Sequence, residues 1–140
     1  MSDLDKLIAH LRPLEGWKNS AYQDQNGFWH IGMGTLIDPR KGGAVSDDVI
    51  YMMAAEDIQR NRGDLDKLFP WWRGLSERRR IALQAMAYQL GAPKLSDFKK
   101  MLASLEAGDY LGAYGHALNS VWAEQTPTRA KEVAAMLRDG

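Results

Sequence analysis

The chain has 140 residues, 45% of them hydrophobic and 26% charged, a balance that excludes a disordered tail, a collagen-like repeat or a low-complexity linker. Eighteen basic residues offset eighteen acidic ones, so no net field recruits nucleic acid, and no nucleic-acid partner is expected. The absence of cysteine rules out a disulfide scaffold, thiol catalysis and a thiolate zinc site, and His10, His30 and His116 stand in separate segments without metal-ligand spacing; no metal or organic cofactor is expected.

The N-terminus, Met1-Ser2-Asp3-Leu4-Asp5, lacks the basic start and apolar run of a secretory signal. No apolar run approaches the ~18 residues that suggest a membrane span. The expectation is a monomer made as a soluble cytoplasmic chain. Ser2 with Asp5 resembles a capping box, and Leu4, Leu7, Ile8 and Leu11 recur at helical spacing, so a helix starts near residue 3. Pro13 and Gly16 place its end near residues 12–15. Glu15 then sits at a helix C-terminus, where the dipole disfavours a negative charge.

From Tyr22 to Met33 aromatics alternate with polar residues around Gln25-Asn26-Gly27, the pattern of a β-hairpin. Its register stays open. A two-residue loop at Asn26-Gly27 pairs Asp24 with Trp29 and sends His30 to the opposite face. A three-residue loop, with Gly27 left-handed, pairs Tyr22 with His30 and makes Asp24 and His30 diagonal neighbours on one face. Asp38-Pro39-Arg40-Lys41-Gly42-Gly43 reads as a turn-rich connection.

Ser46-Asp47-Asp48 can cap a long helix with Val49, Ile50, Met53, Ala54 and Ile58 on its apolar side, and Gly63 is expected to interrupt it. Leu68-Phe69-Pro70-Trp71-Trp72 makes a bulky junction, followed by a helix from Ser76 to Leu90 capped by Gly91. Helices over Ser96–Glu106 and Asp109–Asn119 follow, and Thr126-Pro127 is a strong start signal for the last one. The fold class is therefore α+β: a small β-hairpin lobe joined by a long helix to a mainly helical C-terminal lobe. Residues 1–140 read as one domain with lobes near 14–48 and 64–140, the N-terminal helix packing on the helical lobe. Residues 1–70 carry eight Lys/Arg and eleven Asp/Glu, and residues 71–140 carry ten and seven, so the second half better suits a polyanionic surface.

Glu15, Asp24 and His30 invite a catalytic reading. Glycoside hydrolysis needs two carboxyls flanking the scissile bond, one protonated as acid and one ionised. Glu15 beside Leu14 and Trp17 suits the first role, and Asp24 beside a polar turn suits the second. Each alone is also an ordinary solvated surface carboxylate.

The run Glu15-Gly16-Trp17, Tyr22-Gln23-Asp24 and Gly27-Phe28-Trp29-His30-Ile31-Gly32-Met33-Gly34 resembles the active-site segment of phage-type lysozymes (glycoside hydrolase family 24). The family pattern is E-G, then Y-x-D, then G-x-x-T-I-G-x-G-H. Downstream, Ala85-Met86-Ala87-Tyr88-Gln89-Leu90-Gly91 and Trp122-Ala123-Glu124-Gln125-Thr126-Pro127-Thr128-Arg129-Ala130 are similar to two further family signatures. The resemblance implies a lysozyme-like fold with Glu15 as general acid, Asp24 as the carboxylate that orients or deprotonates water, and Tyr22, Gln89 and Arg129 as substrate-binding residues. It also implies that Arg129 pairs with the acid glutamate; the plain alternative is a pair with Glu132 on its own helix.

Two positions depart from the pattern: His30 stands for the usual Thr, and Thr35 for the usual His. An imidazole is basic and nucleophilic where a hydroxyl only holds water. His30 therefore either attacks the sugar C1 or acts as a second base, with retention and transglycosylation as the expected consequence, or it donates a hydrogen bond to Asp24 with inversion intact. Trp71 and Trp72 read as core packing, Met52, Met53 and Met86 as apolar helix faces, Arg78-Arg79-Arg80 as a solvated face, and His10 and His116 as surface residues.

The resemblance thus implies a muramidase cleaving the β-1,4 bond between N-acetylmuramic acid and N-acetylglucosamine, its partner being the peptidoglycan glycan strand. Action in the periplasm would follow delivery by a phage holin, tail or secretion machinery. The alternatives are a lytic transglycosylase and a non-catalytic peptidoglycan-binding module.

Overall fold

A computed structural model describes residues 2–37 and 44–140. The expected turn at 38–43 lies outside the described residues. The chain divides into two compact units, Met1–Met52 and Met53–Gly140. Among the described residues no helix is long and apolar enough to cross a membrane. The class is α+β, as expected: helices dominate, and the described strands form one three-stranded antiparallel sheet.

In the first unit, α1 spans Asp3–Glu15. Its capping box forms as expected: the Ser2 hydroxyl accepts from the Asp5 N–H, and the Ser2 N–H donates to the Asp5 carboxylate at 3.0 Å. Gly16, at φ 85°, ends the helix and donates to the Arg12 carbonyl. Strands β1 (Lys18–Gln23), β2 (Trp29–Gly32) and β3 (Thr35–Leu36) follow in sheet order. The third strand is an addition to the expected hairpin, and it pairs Ile31 with Thr35 across the Gly32-Met33-Gly34 turn. Two residues are too few for alternation to mark them. Cation–π contacts support the unit, with the Arg12 guanidinium 4.5 Å from the Trp17 ring and Lys18 Nζ 4.6 Å from the Tyr22 ring.

Helix α2 runs Asp47–Leu68 and belongs to both units. The Ser46 hydroxyl accepts from the Val49 N–H, as the start signal implies. Gly63 does not interrupt α2. A single glycine costs only ~1 kcal/mol relative to alanine, and Leu65, fully buried, anchors the last turns. Burying a leucine side chain gains roughly 1.5–3 kcal/mol, which outweighs that penalty.

The second unit is helical. Trp72 opens a 3-10 turn (Trp72–Gly74) and is 1% exposed, its indole N–H donating to Asp66 Oδ1 at 2.8 Å, so the junction tryptophan is core as expected. Helix α3 (Glu77–Leu90) starts at the Ser76 cap and ends at Gly91. The expected 96–106 helix begins three residues later, as α5 (Lys99–Glu106), and a short additional helix α4 (Ala92–Leu95) precedes it, started by Gly91 at φ 85° and Pro93 before Phe98 turns into the core. Helix α6 (Tyr110–Leu118) is capped by the Asp109 carboxylate.

Helix α7 (Val121–Gln125), absent from the sequence reading, starts at the Ser120 hydroxyl and is pinned by buried Trp122. Helix α8 (Pro127–Asp139) begins where Thr126-Pro127 implies, although the Thr126 hydroxyl donates back to the Trp122 carbonyl rather than capping. Leu65, Trp72, Leu83, Met86, Leu95, Met101, Leu105 and Leu137 are the largest fully buried side chains of the core. The Arg78–Arg80 run is not simply a solvated face. Arg79 donates to the Leu137 and Arg138 carbonyls, where α8 leaves them unpaired, and Arg80 donates to the Leu75 carbonyl.

Candidate active site

The hairpin takes the three-residue register. The Asp24 N–H donates to the Phe28 carbonyl at 2.9 Å, and the Gly27 N–H donates back to the Asp24 carbonyl at 3.0 Å. Gly27 sits at φ 83°, the left-handed position this loop requires. Tyr22 therefore faces His30, and Gln23 faces Trp29. That register brings Asp24 and His30 onto one side of the sheet.

The Asp24 carboxylate is held from three directions. Its Oδ1 accepts the backbone N–H groups of Asn26 at 2.8 Å and Phe28 at 3.0 Å. Its Oδ2 lies 2.8 Å from His30 Nε2. The His30 bond first, then the Phe28 N–H, hold the carboxyl below its ordinary range. An ionised Asp24 is what the sequence led one to expect of this turn.

His30 Nδ1 lies 3.0 Å from the Gly34 carbonyl oxygen. Gly34 belongs to the β2–β3 turn and adopts φ 92°. The other side of the imidazole carries Tyr22, whose ring stacks on it with centroids 5.7 Å apart. Both ring nitrogens thus face oxygen acceptors. A neutral imidazole has only one N–H, so either tautomer would set a lone pair against an oxygen. The imidazolium satisfies both, and the Asp24 bond, then the Gly34 bond, raise the His30 pKa. A nucleophilic role requires a free ring lone pair, and neither nitrogen offers one in this arrangement.

Glu15 is the last residue of α1, immediately before the Gly16 turn. Among the residues in the second unit, Gln89 lies near the end of α3, and its Oε1 accepts the Trp122 indole N–H at 3.0 Å. Trp122 is 5% exposed and packs edge-on against Phe98. Arg129 stands exposed in the first turn of α8, and no ion pair joins it to Glu132. The partners that sequence reasoning missed are the Gly34 carbonyl and the Trp122 indole. Both residues lie inside the quoted motifs, yet spacing alone does not say which atoms meet.

A groove of about 670 Å³ opens in the second unit, lined by Lys94, Phe98, Lys100, His116 and Trp122 among others. It includes none of Glu15, Tyr22, Asp24, His30, Gln89 and Arg129. Among the described residues no group of three His, Asp or Glu side chains gathers at metal-binding distance.

The phage lysozyme family model matches residues 12–138. The chain is 28% identical to the pre-baseplate central spike protein of Enterobacteria phage T4, over 96% of this chain and 28% of that protein, so it spans under a third of that relative. It is 26% identical to probable T4-type lysozyme 2 of Dictyostelium discoideum, covering 90% of this chain and 89% of the relative. Probable T4-type lysozyme 1 of the same organism is 22% identical with the same coverage.

Proposed function

The chain belongs to the phage lysozyme family, whose activity is peptidoglycan hydrolysis, and from that premise we propose that it cleaves the β-1,4 bond between N-acetylmuramic acid and N-acetylglucosamine with inversion. Glu15 donates its proton to the glycosidic oxygen as the bond to C1 breaks. A water molecule, aligned by the Asp24 carboxylate, adds to C1 and passes its proton to Asp24 or to bulk water. The products are a reducing muramic acid end and a free 4-hydroxyl. Glu15 rests on the match to the family motif.

The observation that carries the role of Asp24 is its fixed geometry. Three hydrogen bonds anchor the carboxylate, and it is half-buried rather than solvated. A carboxylate so stabilised is a weak base, better suited to orienting water than to abstracting its proton early. Retention through attack by His30 is disfavoured because both ring nitrogens are engaged. Tyr22, Gln89 and Arg129 are proposed as glycan contacts on the motif match. With the Gln89 carbonyl committed to Trp122, its amide NH2 is the group left to meet a sugar oxygen.

Delivery within a phage tail assembly, followed by action on the periplasmic wall, is supported by the similarity to a baseplate spike protein. Clearing of chloroform-treated Gram-negative cells by the wild type and not by Glu15→Gln is the expected result. If both were equally inert yet bound sacculi, a binding module would replace the enzyme reading. Proton NMR of the first product separates the stereochemical courses: the α-anomer is expected, and a β-anomer formed first would establish retention.

A further inference from the structure

His30 does more than neutralise a neighbour. The imidazole spans two turns of the sheet, reaching from Asp24 before the β1–β2 loop to Gly34 in the β2–β3 turn. We propose that His30 is a positioning residue whose doubly protonated ring, braced on the Gly34 carbonyl, fixes the orientation in which Asp24 holds the attacking water. The inference rests on the reading of Asp24 as the water-orienting carboxylate.

The bracing is specific to this residue type. A threonine at this position has one hydroxyl hydrogen and cannot donate to two acceptors at once. Histidine donates from opposite edges of a rigid plane, so displacement of either acceptor is felt by the other. Gly34 at φ 92° aims its carbonyl into the ring edge, and the Tyr22 ring, stacked at an interplanar angle of 24°, restricts rotation about χ2. Asp24 Oδ1 is already fixed by two backbone N–H groups, so the His30 bond to Oδ2 settles the remaining torsion of the carboxylate. The lone pair not taken by these three bonds then points in one direction.

The brace also carries a pH dependence. Facing the ring from β1 and the residue that follows it are the Tyr22 phenol and Asp24, with Lys18 Nζ 4.6 Å from the centre of the tyrosine ring. From β3 the paired residue is Leu36, and Thr35–Leu36 contribute no titratable group. The Asp24 bond, then the Gly34 bond, raise the imidazole pKa, so the brace persists to higher pH than an ordinary imidazole stays charged and fails as pH rises through the raised value. One acceptor then meets a lone pair, and the ring is no longer held at both edges.

The test compares wild type, His30→Ala and His30→Gln on purified sacculi across pH, with circular dichroism to verify folding. For His30→Ala, kcat should fall on the order of 10- to 100-fold, the scale of a displaced catalytic group, with KM changed by less than about threefold. His30→Gln keeps a non-titrating donor to Asp24. It should recover part of kcat and lose the alkaline limb of the wild-type profile. Nitrogen-15 NMR of the unmutated chain provides an activity-free readout: Nδ1 and Nε2 should both show protonated shifts at neutral pH, and Asp24→Asn should lower the His30 pKa.

An alkaline limb unchanged in His30→Gln, an undiminished kcat in folded His30→Ala, a neutral His30 at pH 7, or a trapped covalent glycosyl–His30 adduct would each overturn the positioning role. A wild type inert on sacculi would instead defeat the hydrolase reading on which it rests, a result distinguishable because it appears before any His30 substitution is made.

Discussion

Tyr22 and His30 are direct cross-strand partners whose rings stack with centroids 5.7 Å apart and planes inclined by 24°. A stacked pair contributes about 0.5–1.5 kcal/mol beyond its buried area, and a charged imidazole gains further from the face of the phenol ring. Tyr22→Phe preserves the ring and should leave the hairpin as protected in hydrogen exchange as the wild type. Tyr22→Ala should accelerate exchange of the Asp24 and His30 amides by about tenfold, the equivalent of ~1.4 kcal/mol. Equal protection in the two variants would mean that the stack does not order the turn.

Gly27 controls the register on which the site depends. A Cβ there meets nothing within 4 Å, but φ is 83°, so the cost of a side chain is conformational rather than steric. Gly27→Ala should destabilise the hairpin by roughly 1–2 kcal/mol and weaken the Asp24 N–H bond to Phe28. Gly27→Asn, better tolerated in the left-handed region, should lose less. Amide exchange at Asp24 distinguishes them, and an Ala variant as protected as wild type would contradict the loop assignment.

The Asp24–His30 pair sets a pH window for hairpin stability. Asp24 has a lowered pKa, so its contribution is present above its unfolded value and is lost as pH falls through the lowered one. His30 has a raised pKa, so its contribution is complete below its unfolded value and is lost as pH rises through the raised one. Protection of the hairpin amides should therefore be greatest between these two limits. In Asp24→Asn the alkaline edge should move down toward the ordinary imidazole range; an edge that stayed in place would show that another group sets it.

Much of this was legible in the sequence where chemistry is local. Ser2 with Asp5, Ser76, Gly91 and Asp109 mark helix ends because each satisfies a nearby backbone group. Elements held by distant contacts were not legible. Five-residue α7 exists through the burial of Trp122, and α2 continues past Gly63 through the burial of Leu65. The candidate site follows the same division. Asn26-Gly27 suits a two-residue loop as well as a three-residue one, so local preference left Asp24 and His30 on either the same or opposite faces. Pairing of Tyr22 with His30 decides between them. The Gly34 carbonyl was hidden altogether, since a backbone acceptor carries no residue-type signal.

Gln89 separates structure from substrate binding. Gln89→Leu removes the acceptor of a buried indole N–H and should cost about 1–3 kcal/mol, read as a lowered melting temperature. Gln89→Glu keeps an acceptor for Trp122 but loses the amide donor. It should retain most of the stability and raise KM for sacculi. A stable Gln89→Glu variant with unchanged KM would leave Gln89 only its link to Trp122.

Mass spectrometry of the fragments released from purified sacculi tests the central claim most directly. Wild-type protein should release muropeptides with hydrated, reducing N-acetylmuramic acid ends, and folded Glu15→Gln should release none above background. Fragments lighter by one water would indicate an anhydro product and a lytic transglycosylase, and equal release by Glu15→Gln would remove Glu15 from the chemistry; either result would contradict the account.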